Sequence, residues 1–309
     1  MAAKLRAVRH REILGLEKLG VAFKDYIALM LEGMTLDDIR VLVDMYRTFQ
    51  RKRIAFGNRV SALQRGSDEG DPAPHAGFMA MFYAMESAVD RRMGQVVTEH
   101  PVYERWLKNV RGMGPTLSAQ LLAMTGPDEA MAARETVSTL WAFAGMAVKN
   151  GKGQRPVAGE KLPYNAKLRV LLYNIGGSFL RSGSPFRKVY DDSRAHYLAN
   201  RPDWTDGHRH MAAMRRMMKV FLSLYWEVYR KMMGLGVRPS YVEEKLGHTH
   251  LYKPDDFAAW DWPGKEVKAD EKVAGDPGGR MRARVAGRAR VGAGRVRAAD
   301  AGKQHKRDS

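Results

Sequence analysis

Apolar side chains recur at steps of three and four from Ile39 through Leu42, Tyr46 and Phe49 to Phe56, Val60 and Leu63. That period draws one stripe along a long helix and is incompatible with an alternating strand. Only Arg53 breaks the series. Thr35, with Asp38 three residues on, reads as the start of this helix, with negative charge in its first turn. The polar, Gly- and Pro-containing stretch from Gly66 to Pro74 ends it. A second stripe then runs through Phe78, Phe82, Met85, Val89 and Val96. Two long helices joined by a short polar loop predict an antiparallel helical hairpin over residues 1–100, suited to packing or to homodimerisation. No strand pattern occurs in these hundred residues.

Charge narrows the class of partner. The chain carries 52 Lys+Arg against 34 Asp+Glu, a formal +18. Residues 265–309 hold 13 basic and 6 acidic side chains, so +7 of the excess lies there and +11 in the rest. Such a balance fits a polyanion-binding protein. The Gly-, Ala- and Arg-rich stretch over 264–309 cannot bury enough apolar area to offset its ordering entropy, and a disordered basic tail is expected. With no cysteine in the sequence, thiol nucleophiles, disulfides and cysteine-ligated metal sites are excluded. No apolar run approaches a membrane span, and Met1 opens a charged stretch with no apolar core of a signal peptide behind it. A cytoplasmic, nucleoid-associated protein with no membrane partner is expected.

The most specific motif lies between His100 and Gly126. A short helical run over Val102–Val110 is followed by Arg111-Gly112-Met113-Gly114-Pro115-Thr116 and then by helical spacing from Leu117 to Met124. Pro115 suits a first helical position, and the flanking glycines permit a tight turn with close backbone approach. Met113 is expected to plug inward. The N–H groups of the turn and the positive end of the second helix would then face a phosphate oxygen, as in a helix-hairpin-helix. Arg111, Gly112, Met113, Gly114 and Thr116 are the DNA-binding candidates here. A second set is the loop-to-helix segment Lys149–Arg169, with six basic residues against one acid. Its candidates are Lys149, Lys152, Arg155, Lys161 and Arg169.

Val110-Arg111-Gly112-Met113-Gly114-Pro115-Thr116, the helix ending Leu140-Trp141-Ala142-Phe143-Ala144-Gly145-Met146, and Ser184-Pro185-Phe186 resemble the C-terminal half of the DEDD insertion-sequence transposases, the IS-one-ten and IS-one-sixteen group. The resemblance covers roughly Pro101 to Met233. The preceding hairpin also resembles the coiled-coil element of that family, and Lys161-Leu162-Pro163-Tyr164-Asn165 and Glu244–His250 resemble a shorter branch of it. The family implies DNA binding and transposition or recombination, with a structured RNA as a further partner. Two departures bear on its chemistry. Active members resemble a RuvC-type nuclease at their N-terminus, whereas Asp37, Asp38 and Asp44 here sit on a helical stretch. The family's catalytic serine belongs in the loop that here reads Ala147-Val148-Lys149-Asn150-Gly151-Lys152-Gly153-Gln154-Arg155, with Asn150-Gly151 where Ser-Gly would be expected. No catalytic residue is assigned, and enzyme activity stays open.

Other constellations carry less. His208 and His210, or His248 and His250, are spaced by two, which points the rings to different helix faces, so no metal or cofactor is expected. Tyr164, beside Lys161 and Arg169, lacks the arginine–histidine frame of a tyrosine nucleophile. The run from His208 to Met233 mixes Arg215, Arg216 and Lys219 with a wide apolar face and closes at Gly234, a core helix. Trp260, Trp262 and Pro263 read as the last anchored residues. The expectation is an all-α protein: a helical hairpin (1–100), a helix-hairpin-helix transposase-like DNA-binding domain (101–263), and a disordered tail (264–309). An active or split recombinase needing a RuvC-type partner is one alternative, and an RNA-holding protein is another.

Overall fold

The computed structural model describes residues 23–67, 69–149, 151–238 and 252–259. The expected tail, Trp260, Trp262, Pro263 and the stretch from Glu244 to His250 lie outside them. Among the described residues the fold is all-α. The helices are α1 (Phe23–Leu31), α2 (Ile39–Gln64), α3 (Pro72–Val97), α4 (Pro101–Arg105), α5 (Pro115–Thr125), α6 (Asp128–Ala132), α7 (Val137–Phe143), α8 (Ala166–Ser182), α9 (Phe186–Asn200) and α10 (Asp206–Met232). The extended backbone pairing is a minimal hairpin, β1 (Val148–Lys149) against β2 (Lys152–Gly153), with Val148 opposite Gly153 and Lys149 opposite Lys152. No helix among the described residues is long and apolar enough to cross a membrane.

The helical hairpin is present as α2 and α3. Thr35 and Asp38 act one step earlier than the spacing suggests: the Thr35 N–H donates to Asp38 Oδ2 at 2.9 Å across a 3-10 turn, and α2 begins at Ile39. Asp71 caps α3 by accepting from the Ala73 N–H at 2.9 Å. Arg53, the break in the apolar stripe, meets Glu86 of α3, which is only 7% exposed. Gln50 Nε2 donates to the same carboxylate at 3.2 Å and to the Tyr46 hydroxyl at 3.0 Å. The interruption is therefore a paired charge: a carboxylate this buried needs its donors, and Arg53 and Gln50 of α2 supply them.

The hairpin and the helices after it share one core. Phe221 of α10 lies near its centre, with ring centroids 6.1 Å from Trp106, 5.3 Å from Phe179 and 5.4 Å from Phe186. Each such aromatic pair adds roughly 0.5–1.5 kcal/mol beyond the area it buries. Met214, Met217 and Met218 are buried on the same helix, as the apolar face of the sequence implies. Gly176 lets α8 approach α10, because a Cβ there would stand 2.6 Å from Met214 Cε. Phe257 stacks on Phe186 at 4.1 Å, and Asn109 Nδ2 donates to the Ala259 carbonyl at 2.7 Å, so residues 252–259 close the core beyond α10.

His100, 9% exposed, caps α4 by accepting from the Val102 N–H through Nδ1 at 3.2 Å. Burial lowers its pKa below the ordinary 6.5, against a smaller opposing pull from Asp128. The folded chain then resists a proton that the unfolded chain accepts, so stability present above about pH 6.5 is lost as the pH falls below it. Urea midpoints measured at pH 7 and pH 5 should show this loss. The His100→Asn variant, which keeps a capping acceptor, should show a shallower one.

Candidate nucleic-acid interface

The turn after α4 has the expected local form. A 3-10 turn over Leu107–Asn109 leads into it, Met113 is 5% exposed, and α5 opens at Pro115 with Gly114 as its N-cap. The two glycines do different things. Gly112 has φ +97°, and a Cβ there would stand 2.7 Å from Ser182 Oγ and 3.0 Å from Phe179 Cδ1. Ser178 Oγ donates to the Gly112 carbonyl at 2.8 Å. Gly112 thus seats the turn on the C-terminal end of α8. Gly114 has φ −88°, is exposed, and a Cβ there would meet nothing within 4 Å.

The N-terminus of α5 has a resident anion nearby. Thr116 Oγ1 bonds Asp90 Oδ1 of α3 at 2.6 Å. A carboxylate at this place answers the positive end of the helix from within the chain and disfavours a second anion there. Thr116 is thereby committed to an intramolecular bond, and Arg111 is the exposed cation of the turn.

The second candidate set lies at the other end of α8. From Arg169 to Phe179 is ten residues, about 15 Å along the helix axis. Asn165 caps α8 by accepting from the Leu168 N–H at 3.1 Å, and its own N–H donates to the Phe143 carbonyl at 2.8 Å, tying the loop to α7. Arg169 Nη1 donates to the Gln154 carbonyl at 2.9 Å, with its guanidinium 5.0 Å from the Tyr164 ring centre. Gly145, at φ +69°, makes room for that ring, since a Cβ would sit 2.8 Å from Tyr164 Cδ2. Tyr164 is therefore a platform for Arg169. Arg155 and Lys161 are exposed on the loop, and Lys149 and Lys152 stand opposite each other in the β1–β2 pairing.

What the sequence did not reveal is the floor beneath this loop. Gly153 lies on Arg215 of α10: a Cβ there would stand 2.5 Å from Arg215 Nη1 and 2.7 Å from Cζ. One helical turn on, Lys219 Nζ sits 3.9 Å above the Trp141 ring centre, and Trp141 Nε1 donates to the Lys219 carbonyl at 3.1 Å. Desolvation, and then repulsion from Arg216 and Arg215, lower the Lys219 pKa. Arg215 Nε and Gln154 Oε1 are buried without a hydrogen-bond partner. Among the described residues, Arg155, Lys161, Arg169, Arg215, Arg216 and Lys219 form no ion pair. From Gly207 to Trp226 the sequence of α10 contains no Asp or Glu, which was the available signal.

No family model, curated protein or solved structure matches this chain. The chemistry must therefore be read from the site itself. The segment 149–169 carries six basic residues (Lys149, Lys152, Arg155, Lys161, Lys167 and Arg169) and one acid, Glu160, and through Gly153 it lies on Arg215 of α10, whose neighbours include Arg216 and Lys219. Of these, Lys167 lies 3.5 Å from Asp44, with both side chains largely exposed. No group of three or more His, Asp or Glu side chains placed to hold a metal occurs among the described residues. His208 stacks on Trp204 at 3.9 Å and His210 Nδ1 bonds the Tyr190 hydroxyl at 2.8 Å, which engages both in packing. Cations that form no ion pair among the described residues, part of them desolvated, attract phosphate but supply no attacking group.

Proposed function

We propose that this chain binds the DNA backbone in a mobile-element or recombination setting, as its resemblance to the C-terminal half of insertion-sequence transposases implies. The grip is the basic loop from Lys149 to Lys161, backed by Arg169, Arg215, Arg216 and Lys219. The helix-hairpin-helix turn acts beside it as a fixed corner with Arg111 exposed. One observation carries this reading: Lys219 is held half-buried beside two arginines, and among the described residues none of the three forms an ion pair. Folding tolerates such mutual repulsion at a cost, and a bound polyanion would relieve it. Association with the nucleoid follows from the same charge.

The test is duplex binding across a salt series. Each phosphate neutralised releases condensed counterions, so affinity should fall linearly on a log–log plot with a slope of about −0.9 per contact. A slope of roughly −4 or steeper is expected, with little dependence on sequence. An isotherm that does not move between 50 and about 200 mM salt removes the electrostatic basis of the proposal.

A further inference from the structure

Beyond the pairing of Arg53 with Glu86, α2 and α3 continue as a two-helix arm. The contacts of this pair with α5 lie at its root, where Arg47 Nη1 donates to Gln120 at 3.4 Å and Gly94 faces Pro115. The turn after α1 is held there too, where Arg92 Nε donates to the Met34 carbonyl at 3.0 Å. Along one face of α2 the residues at steps of three and four are Phe49, Lys52, Phe56 and Arg59, aromatic and cation in turn. The facing edge of α3 adds Phe78 and Phe82. The four rings form a ladder, with centroids 6.4 Å (Phe49–Phe82), 5.6 Å (Phe82–Phe56) and 5.2 Å (Phe56–Phe78) apart. Phe78 is 50% exposed at its outer end, and Lys52 and Arg59 are exposed along its rim.

We propose that this strip binds single-stranded nucleic acid, with bases stacked against the Phe78 end of the ladder and phosphates on Lys52. Aromatic faces interleaved with cations suit a strand whose bases are unpaired, because every base offers a π-face and every linkage a negative charge. Charge selects this occupant over a second copy of the chain. Past Asp44 helix α2 carries no acid, and with Arg53 held by Glu86 its exposed cations here include Arg51 and Lys52, so two such strips placed face to face would set like charges together. The inference is independent of the duplex reading, since the strip shares no residue with the loop and α10.

The experiment compares the full chain with its Phe78→Ala and Lys52→Glu variants, using a fluorescent twenty-nucleotide thymidine strand and a duplex of the same length. Phe78 lies half in solvent, so its truncation should leave the thermal midpoint within a few degrees. Stacking on an aromatic ring is worth roughly 1–3 kcal/mol per base, so Phe78→Ala should weaken single-strand binding by about fivefold or more while duplex binding changes by less than about twofold. Lys52→Glu should act in the same direction. Iodouracil cross-linking should place the adduct on the peptide containing Phe78. Failure of the wild-type chain to bind the strand, equal losses for strand and duplex, or a sedimentation shift from dimer to monomer on Phe78→Ala would each overturn the proposal; the last would make the strip a self-association surface.

Discussion

Gly112→Val is expected to destabilise the fold by about 3 kcal/mol or more, through left-handed backbone strain and overpacking together. At φ +97° a β-branched side chain clashes with its own backbone, and the added carbon would stand 2.7 Å from Ser182 Oγ and 3.0 Å from Phe179 Cδ1. Phe179 cannot yield, because its ring is fully buried between Phe186 at 4.9 Å and Phe221 at 5.3 Å. Even Gly112→Ala should cost a large part of this, since the first added carbon makes both clashes. Gly114→Val provides the contrast: φ is −88° and the space is open, so the stability change should stay below about 1 kcal/mol. Urea unfolding followed by circular dichroism measures both. A Gly112→Val chain with an unchanged midpoint would mean that the turn is not seated on α8, and its backbone would become available to a ligand again.

That contrast bears on how the Gly-Met-Gly turn is to be read. A pair of glycines flanking a hydrophobic residue signals a tight corner, and the corner is there, with Met113 inward. What the signal leaves open is whether the freed backbone faces solvent or another helix. Here α8 takes one glycine, and Asp90 stands beside the helix end that a phosphate would have used.

The long elements were legible because their apolar periods extend over many turns, and α10 ends within two residues of the expected position. The paired break at Arg53 was visible, but its partner Glu86 was not, because a single acid in an apolar run gives no sign of which cation it meets across the hairpin. The small β1–β2 pairing had a local signal of its own. Asn-Gly is the strongest two-residue hairpin sequence, and Lys149 pairs with Lys152 while Gly151 has φ +72°. The floor formed by Arg215 and Lys219 depends on a contact across about sixty residues of chain, between Gly153 and α10, and no period or spacing reports such a pairing. The acid-free run of α10 gave the sign of the charge without its place.

If α10 supplies the duplex grip, neutralising its cations separates stability from binding. The variant combining Arg215→Gln, Arg216→Gln and Lys219→Met removes the three charges, with a shorter polar side chain at the two arginine positions and an apolar stem of similar length at Lys219. Methionine preserves the packing of the Lys219 stem over Trp141 while removing a desolvated ammonium whose two neighbours repel it. The folded state should therefore lose nothing, and its thermal midpoint should hold or rise by a few degrees. Duplex affinity should move the other way. Three fewer phosphate contacts would flatten the salt slope by roughly 2–3 and weaken binding by about tenfold or more at low salt. The opposite signs decide between the two accounts of these residues. Cations that only pack would, when removed, change the midpoint and leave the isotherm alone. Cations kept unpaired for a ligand would, when removed, leave the midpoint and change the isotherm. A variant that melts earlier and binds as before would assign Arg215 and Lys219 to the core and take α10 out of the grip.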